Sequence, residues 1–137
     1  MTIPHSADAP LLLTDADVLA RVQALVGRAC TDRQLWIMFV DGDNRQAPVV
    51  MPVSDMPRHP PTGLLDGLAG VLRGVYGDLA TDLGPGSVIL TLERRGPAHT
   101  HPQDRAWTEA LVRTCRSIDV GLRGVFLSSD VGVRRLA

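Results

Sequence analysis

The chain has 137 residues, 45% hydrophobic and 21% charged, and its 14 basic and 15 acidic side chains leave a net charge of −1. That suffices for one packed core but not two, and the even balance argues against nucleic acid as the main partner, because polyanion-binding domains carry a basic excess. No apolar run approaches the roughly 20 residues of a membrane span, the first residues lack a basic-then-apolar leader, and Cys30 and Cys115 fit neither a metal knuckle nor a disulfide framework.

The expectation is a soluble, reduced, cytoplasmic domain that needs no cofactor. Residues 1–13, with Pro4 and Pro10, carry no sustained period and are expected to form a flexible tail ahead of one domain over residues 14–137. Thr14 followed by Asp15 and Asp17 reads as an N-cap with acid in the first turn. Val18, Leu19, Val22, Leu25, Val26 and Ala29 then recur at helical spacing, which predicts a helix over residues 15–30. A branched and aromatic run from Gln34 to Val40, the turn Asp41-Gly42-Asp43-Asn44-Arg45, and a second run from Ala47 to Val53 predict a hairpin. Pro48 and Pro52 mark its second strand as an edge or an interrupted strand.

Thr62 is positioned to cap a second helix running to about Leu83, with Gly84-Pro85-Gly86 as its stop. Ser87 to Leu92 is the next strand. A third helix is expected over residues 101–119, burying Trp107, Leu111, Cys115 and Ile118. Two short strands, 122–127 and 131–136, turn at Ser128-Ser129-Asp130-Val131. The order α-β-β-α-β-α-β-β predicts an α/β sandwich around a mixed sheet, since helical crossovers join parallel neighbours and hairpins join antiparallel ones.

The second helix carries Gly63, Gly67, Gly70, Gly74 and Gly77 along one stripe. Each interior glycine costs a helix about 1 kcal/mol relative to alanine. Two readings account for the stripe: close packing of this helix inside the domain, or a contact surface between two copies of the chain.

Around the third helix lie the residues that could carry chemistry: His99-Thr100-His101-Pro102, preceded by Glu93-Arg94-Arg95 and followed by Asp104. Together with the strand-turn-strand Leu35 to Arg45, the central helix and the segment Asp104 to Leu111, they make the chain resemble the JAMM/MPN (JAB-type) metalloprotease fold, in particular its bacterial RadC-like branch, over residues 31–136. The resemblance implies a zinc site made of a His-x-His pair and a downstream aspartate, with a serine between them and an upstream glutamate handling protons. If His99 and His101 were the pair, the serine and aspartate positions would hold Glu109 and Val112. If Asp104 is the aspartate, the serine position holds His101 and the imidazole positions hold Thr91 and Glu93. The second register needs no gap, and it lacks both imidazoles. The upstream glutamate is missing too, because Glu93 and Glu109 are the chain's two glutamates.

Three functions follow as expectations. The first is a non-catalytic JAMM/RadC-like domain, without a bound metal, that acts through protein contacts, with a homodimer as one form. The second is a divergent metal-dependent hydrolase using Glu93, His101 and Asp104 as carboxylate and imidazole ligands. The third is a small-anion-binding module built on the Arg94/Arg95 loop, with the Arg134-Arg135 pair, Arg58 and His59 as further cations. Against the metal reading, Thr100-x-x-Gln103 has the form of a capping box, Asp104 suits a helix N-terminus, and Arg94 or Arg95 could supply a positive charge in place of a metal.

Overall fold

The computed structural model describes residues 9–137, so the predicted tail lies outside the described residues as far as Asp8. Helix α1 spans Asp15–Leu25, strand β1 Gln34–Val40, β2 Gln46–Val53, helix α2 Thr62–Tyr76, β3 Ser87–Glu93, α3 Pro102–Ser117, β4 Leu122–Ser129 and β5 Gly132–Arg135. The fold is mixed α/β, with a five-stranded mixed sheet in the order β2-β1-β3-β4-β5. β1 is antiparallel to both β2 and β3, β3 and β4 run parallel across the α3 crossover, and β5 returns antiparallel to β4.

Strand alternation divides the core between the two faces of the sheet. Met38, Val40, Ile89 and Phe126 pack against Val18 and Val22 of α1. Leu35, Ile37, Phe39, Leu90 and Leu127 pack on the opposite face against Leu68 and Leu72 of α2 and Trp107 and Leu111 of α3. The sheet is therefore covered on both sides. None of the helices is long and apolar enough to cross a membrane, among the described residues.

The described end of the predicted tail, residues 9–13, is packed on the domain. Leu12 is buried with the α1 cluster, Leu11 forms a bridge with Arg45, and the Gln46 amide donates to Pro10 O. Residues 9–13 thus belong to the domain. Helix α1 ends at Leu25 rather than residue 30 because Gly27 turns left-handed (φ 65°) and its N–H reaches back to Val22 O. At the second helix the cap is Pro61, with Thr62 already inside, and after Tyr76 a single 3-10 turn over Gly77–Leu79 replaces the predicted last turn. β2 is an edge strand, in keeping with its two prolines.

The glycine stripe, four residues on α2 and Gly77 at the start of the 3-10 turn, has no internal partner among the described residues. A Cβ built at Gly63, Gly67, Gly70, Gly74 or Gly77 would meet nothing within 4 Å, and all five are exposed. Close packing inside the domain does not explain them. Close approach is served instead by Gly42 and Gly86, where a Cβ would collide with the carbonyl oxygens of Gly84 and Val40 respectively, and by Gly124, where it would lie 2.8 Å from the Phe126 ring.

Candidate functional site

At the C-terminal end of β3, consecutive side chains point to opposite faces of the sheet. Glu93 turns toward the α1 side and Arg94 toward α3. Glu93 is 3% exposed, and its Oε1 accepts from Trp36 Nε1 at 2.8 Å. Its Oε2 accepts the backbone N–H groups of Cys30 at 2.6 Å and Thr31 at 3.2 Å. The carboxylate ties the link after α1 to β1 and β3.

Arg94 is 5% exposed and Asp104 3%. Arg94 Nε lies 2.9 Å from Asp104 Oδ1 and its second guanidinium nitrogen 2.7 Å from Oδ2, a bidentate pair. The remaining donors reach Pro97 O at 2.9 Å, His99 O at 3.0 Å and Arg95 O at 3.3 Å. All five guanidinium N–H groups have acceptors. This one side chain closes the 95–100 loop around itself, and Arg134 grips the loop's far side at Ala98 O and the Thr100 hydroxyl.

The cap of α3 falls one residue later than the Thr100/Gln103 pattern predicts. His101 is the N-cap, and Asp104 Oδ2 accepts its backbone N–H at 2.8 Å. The Thr100 hydroxyl is committed to Arg134 instead. Asp104 therefore has two structural duties, as helix cap and as counter-ion of a buried cation. Burial pushes its carboxyl upward, but the Arg94 hydrogen bonds, the His101 N–H and the Arg94 charge together hold it below its ordinary value of 3.8. A carboxyl lowered in the folded state adds stability that is complete above 3.8 and is lost as pH falls through the native value. The urea midpoint is accordingly expected to drop below about pH 4, and Asp104→Asn to flatten that drop; a midpoint with the same acid limb in both proteins would contradict this.

Of the three metal candidates, the structure brings His101 and Asp104 together and sends Glu93 to the other face. The interval count also placed Thr91 at an imidazole position. Thr91 lies on Glu93's side of the strand, fully buried, with its hydroxyl unpartnered. The position facing Asp104 is that of Arg94. A catalytic zinc site needs three ligands with free lone pairs and an open coordination position. These residues do not fit it, because Glu93 is saturated elsewhere and Asp104 is engaged by a guanidinium and an N–H. No group of three or more His, Cys, Asp or Glu side chains is arranged to hold a metal among the described residues.

The other sequence candidates resolve locally. Asp41 Oδ1 accepts from the Asp43 and Arg45 amides, which fixes that segment as the hairpin turn. Cys115 is buried, and burial pushes its thiol up to about 11, the opposite of an activated nucleophile. Ser128 Oγ donates to Gly27 O. Trp107 Nε1 donates to Pro57 O and so pins the proline-rich loop to α3.

What does converge is positive charge. A cavity of ≈ 370 Å³ opens beside the buried pair, lined by Arg33, Arg58, Arg94, Arg95, His101, Gln103 and one carboxylate, Asp32. His59 and the Arg134-Arg135 pair, also sequence candidates for an anion site, lie outside this lining, Arg134 being held by the 95–100 loop and Arg135 by Arg123 O, while Arg33, His101 and Gln103 join it. Arg33 is missed by sequence reasoning; it sits just before β1 at the same end of the sheet as Arg94, because Gln34 pairs with Glu93. Compared with protein-family models, with curated proteins and with solved structures, the chain finds no match in any of the three.

Proposed function

We propose that this is a JAMM/RadC-like domain in which a guanidinium stands where the fold family holds a metal, and that it works by binding a protein partner rather than by hydrolysis. The observation that carries the reading is the saturation of Asp104. Its bidentate partner Arg94 has no donor to spare, and the pair is sealed by the loop and the helix cap. A permanent internal cation next to the carboxylate repels a divalent ion and uses up the lone pairs that would bind it.

Zinc or manganese titration followed by elemental analysis of untagged protein tests this. The expected result is no stoichiometric metal at millimolar concentration. Tight metal that disappears in His101→Ala and Asp104→Ala would overturn the reading.

The partner is a second copy of the chain, bound through the outer face of α2. Gly67, Gly70 and Gly74, exposed in the interior of α2, cost helix stability that no contact among the described residues recovers. Beside them lies an apolar groove of ≈ 570 Å³ between α2 and the edge strand β2, lined by Ile37, Met51, Val53, Leu64 and half-exposed Val71. Exposed Asp66 and Arg73 sit on either side of Gly70. When two α2 helices cross antiparallel at Gly70, the aspartate of each copy meets the arginine of the other, a self-complementary arrangement for a two-fold contact. Light scattering at micromolar concentrations is expected to give twice the chain mass for the native sequence and the chain mass for Gly70→Leu. A monomeric native protein would remove this part of the account.

A further inference from the structure

We infer that the arginine-lined cavity beside the Arg94–Asp104 pair is a binding site for a small phosphate monoester. The inference goes beyond the inert-centre reading and uses different side chains. Arg94 contributes no free charge, because Asp104 neutralises it. Arg33 and Arg58 have no hydrogen-bond or ion-pair partner for their guanidinium groups among the described residues, and both are exposed at the cavity wall. Arg95 gives one hydrogen bond to Cys30 O and keeps its remaining donors. Against these three cations stands one carboxylate, Asp32, whose Oδ1 accepts the Arg95 backbone N–H. The excess of two positive charges matches a phosphate dianion, and guanidinium forks match its oxygen geometry.

Backbone conformation points the same way. Arg33 is left-handed at φ 54°, and so is Asp55 at φ 57°, where glycine would be the unstrained choice. The Met56 amide donates to Arg33 O at 2.8 Å, which fixes the two turns against each other just beyond the Leu35–Val53 pair. This brings Arg33 and Arg58, distant in sequence, to one wall. His101 and Gln103 at the first turn of α3 complete the lining.

Size separates a phosphate ester from a free ion. The cavity volume of ≈ 370 Å³ falls within the range of small-molecule sites and leaves room for an organic body on the phosphate. It opens beside a narrow cleft of ≈ 40 Å³ that shares Arg33, Arg58, Arg94 and Gln103 and ends on Met56, Leu92 and Trp107. That cleft accepts a short carbon segment. No aromatic ring other than the His101 imidazole lines the larger cavity, so the site offers a nucleobase no stacking platform.

Calorimetric titration of the full chain at constant ionic strength tests the inference, with ribose 5-phosphate, inorganic phosphate and ribose as probes. Ribose 5-phosphate is expected to bind, inorganic phosphate to bind at least about tenfold more weakly, and ribose to give no heat. Arg33→Ala and Arg58→Ala should each weaken the ester about tenfold or more, as expected for loss of a charged hydrogen-bond partner. Arg113→Ala, remote on α3, should leave binding unchanged. Both cavity variants should keep the native urea midpoint, since neither side chain has a partner to lose. No heat from ribose 5-phosphate at millimolar concentration, equal binding of inorganic phosphate, or full affinity in both cavity variants would each overturn the inference. Metal uptake, which decides the inert-centre reading, is measured separately and does not bear on these outcomes.

Discussion

Asp104→Ala is expected to destabilise the fold by about 3–5 kcal/mol, the cost of leaving a buried charge without its partner. Arg94 cannot shed its proton, and at 5% exposure it cannot reach water without dragging the 95–100 loop with it. The same substitution removes the acceptor for the His101 N–H and so uncaps α3. Asp104→Asn should cost less, because an amide oxygen still accepts from the cap while the charge is lost. Urea unfolding of the three proteins measures the order native, Asn, Ala. An Asp104→Ala protein within about 1 kcal/mol of native would mean that the pair is a surface-like contact.

Glu93→Ala should cost about 3 kcal/mol, for a different reason. It removes no charge pair but leaves Trp36 Nε1 and the amides of Cys30 and Thr31 without their acceptor, and bonds to a carboxylate are worth about 1.5–3 kcal/mol each without being additive. If Glu93 served a metal instead, its removal would change metal uptake and spare stability, since ligand carboxylates repel one another in the apo protein. Unfolding curves therefore separate the two roles. Glu93→Gln is the informative companion: it keeps one acceptor oxygen and should retain part of the loss, whereas an unaltered midpoint in Glu93→Ala would contradict the strut.

Much of the architecture was legible because it is written in periodicities. The run from Gln34 to Val40 is β1 to the residue, the two prolines foretold an edge strand, and the crossover and hairpins foretold a mixed sheet. Boundaries failed where one glycine or one side chain overrode a pattern. Gly27 ended α1 early, and Arg134 took the Thr100 hydroxyl from the capping box. The glycine stripe was visible but its direction was not, since helical spacing says which residues share a face and not what that face meets.

The candidate site was half legible. The sequence offered Arg94 and Arg95 alike as positive charges beside the candidate carboxylates; the structure pairs Arg94 with Asp104 and turns the Arg95 side chain to Cys30 O. Interval counting along the chain treats Thr91, Glu93, His101 and Asp104 as points on a line. A strand alternates, so neighbours such as Glu93 and Arg94 face opposite sides of the sheet. Parity, not spacing, decides which of them meets α3. Arg33 and Arg58 reach the cavity through the paired left-handed turns at Arg33 and Asp55, a conformation that non-glycine residues rarely adopt and that no propensity would assign.

A double-mutant cycle with Arg94→Met and Asp104→Leu measures most directly whether a guanidinium has taken over the position opposite Asp104. Each single change leaves one buried charge stranded and should cost about 3–5 kcal/mol, while the double change strands neither and should recover most of that loss, giving a coupling of about 3 kcal/mol. Costs that simply add to within about 0.5 kcal/mol would contradict the account.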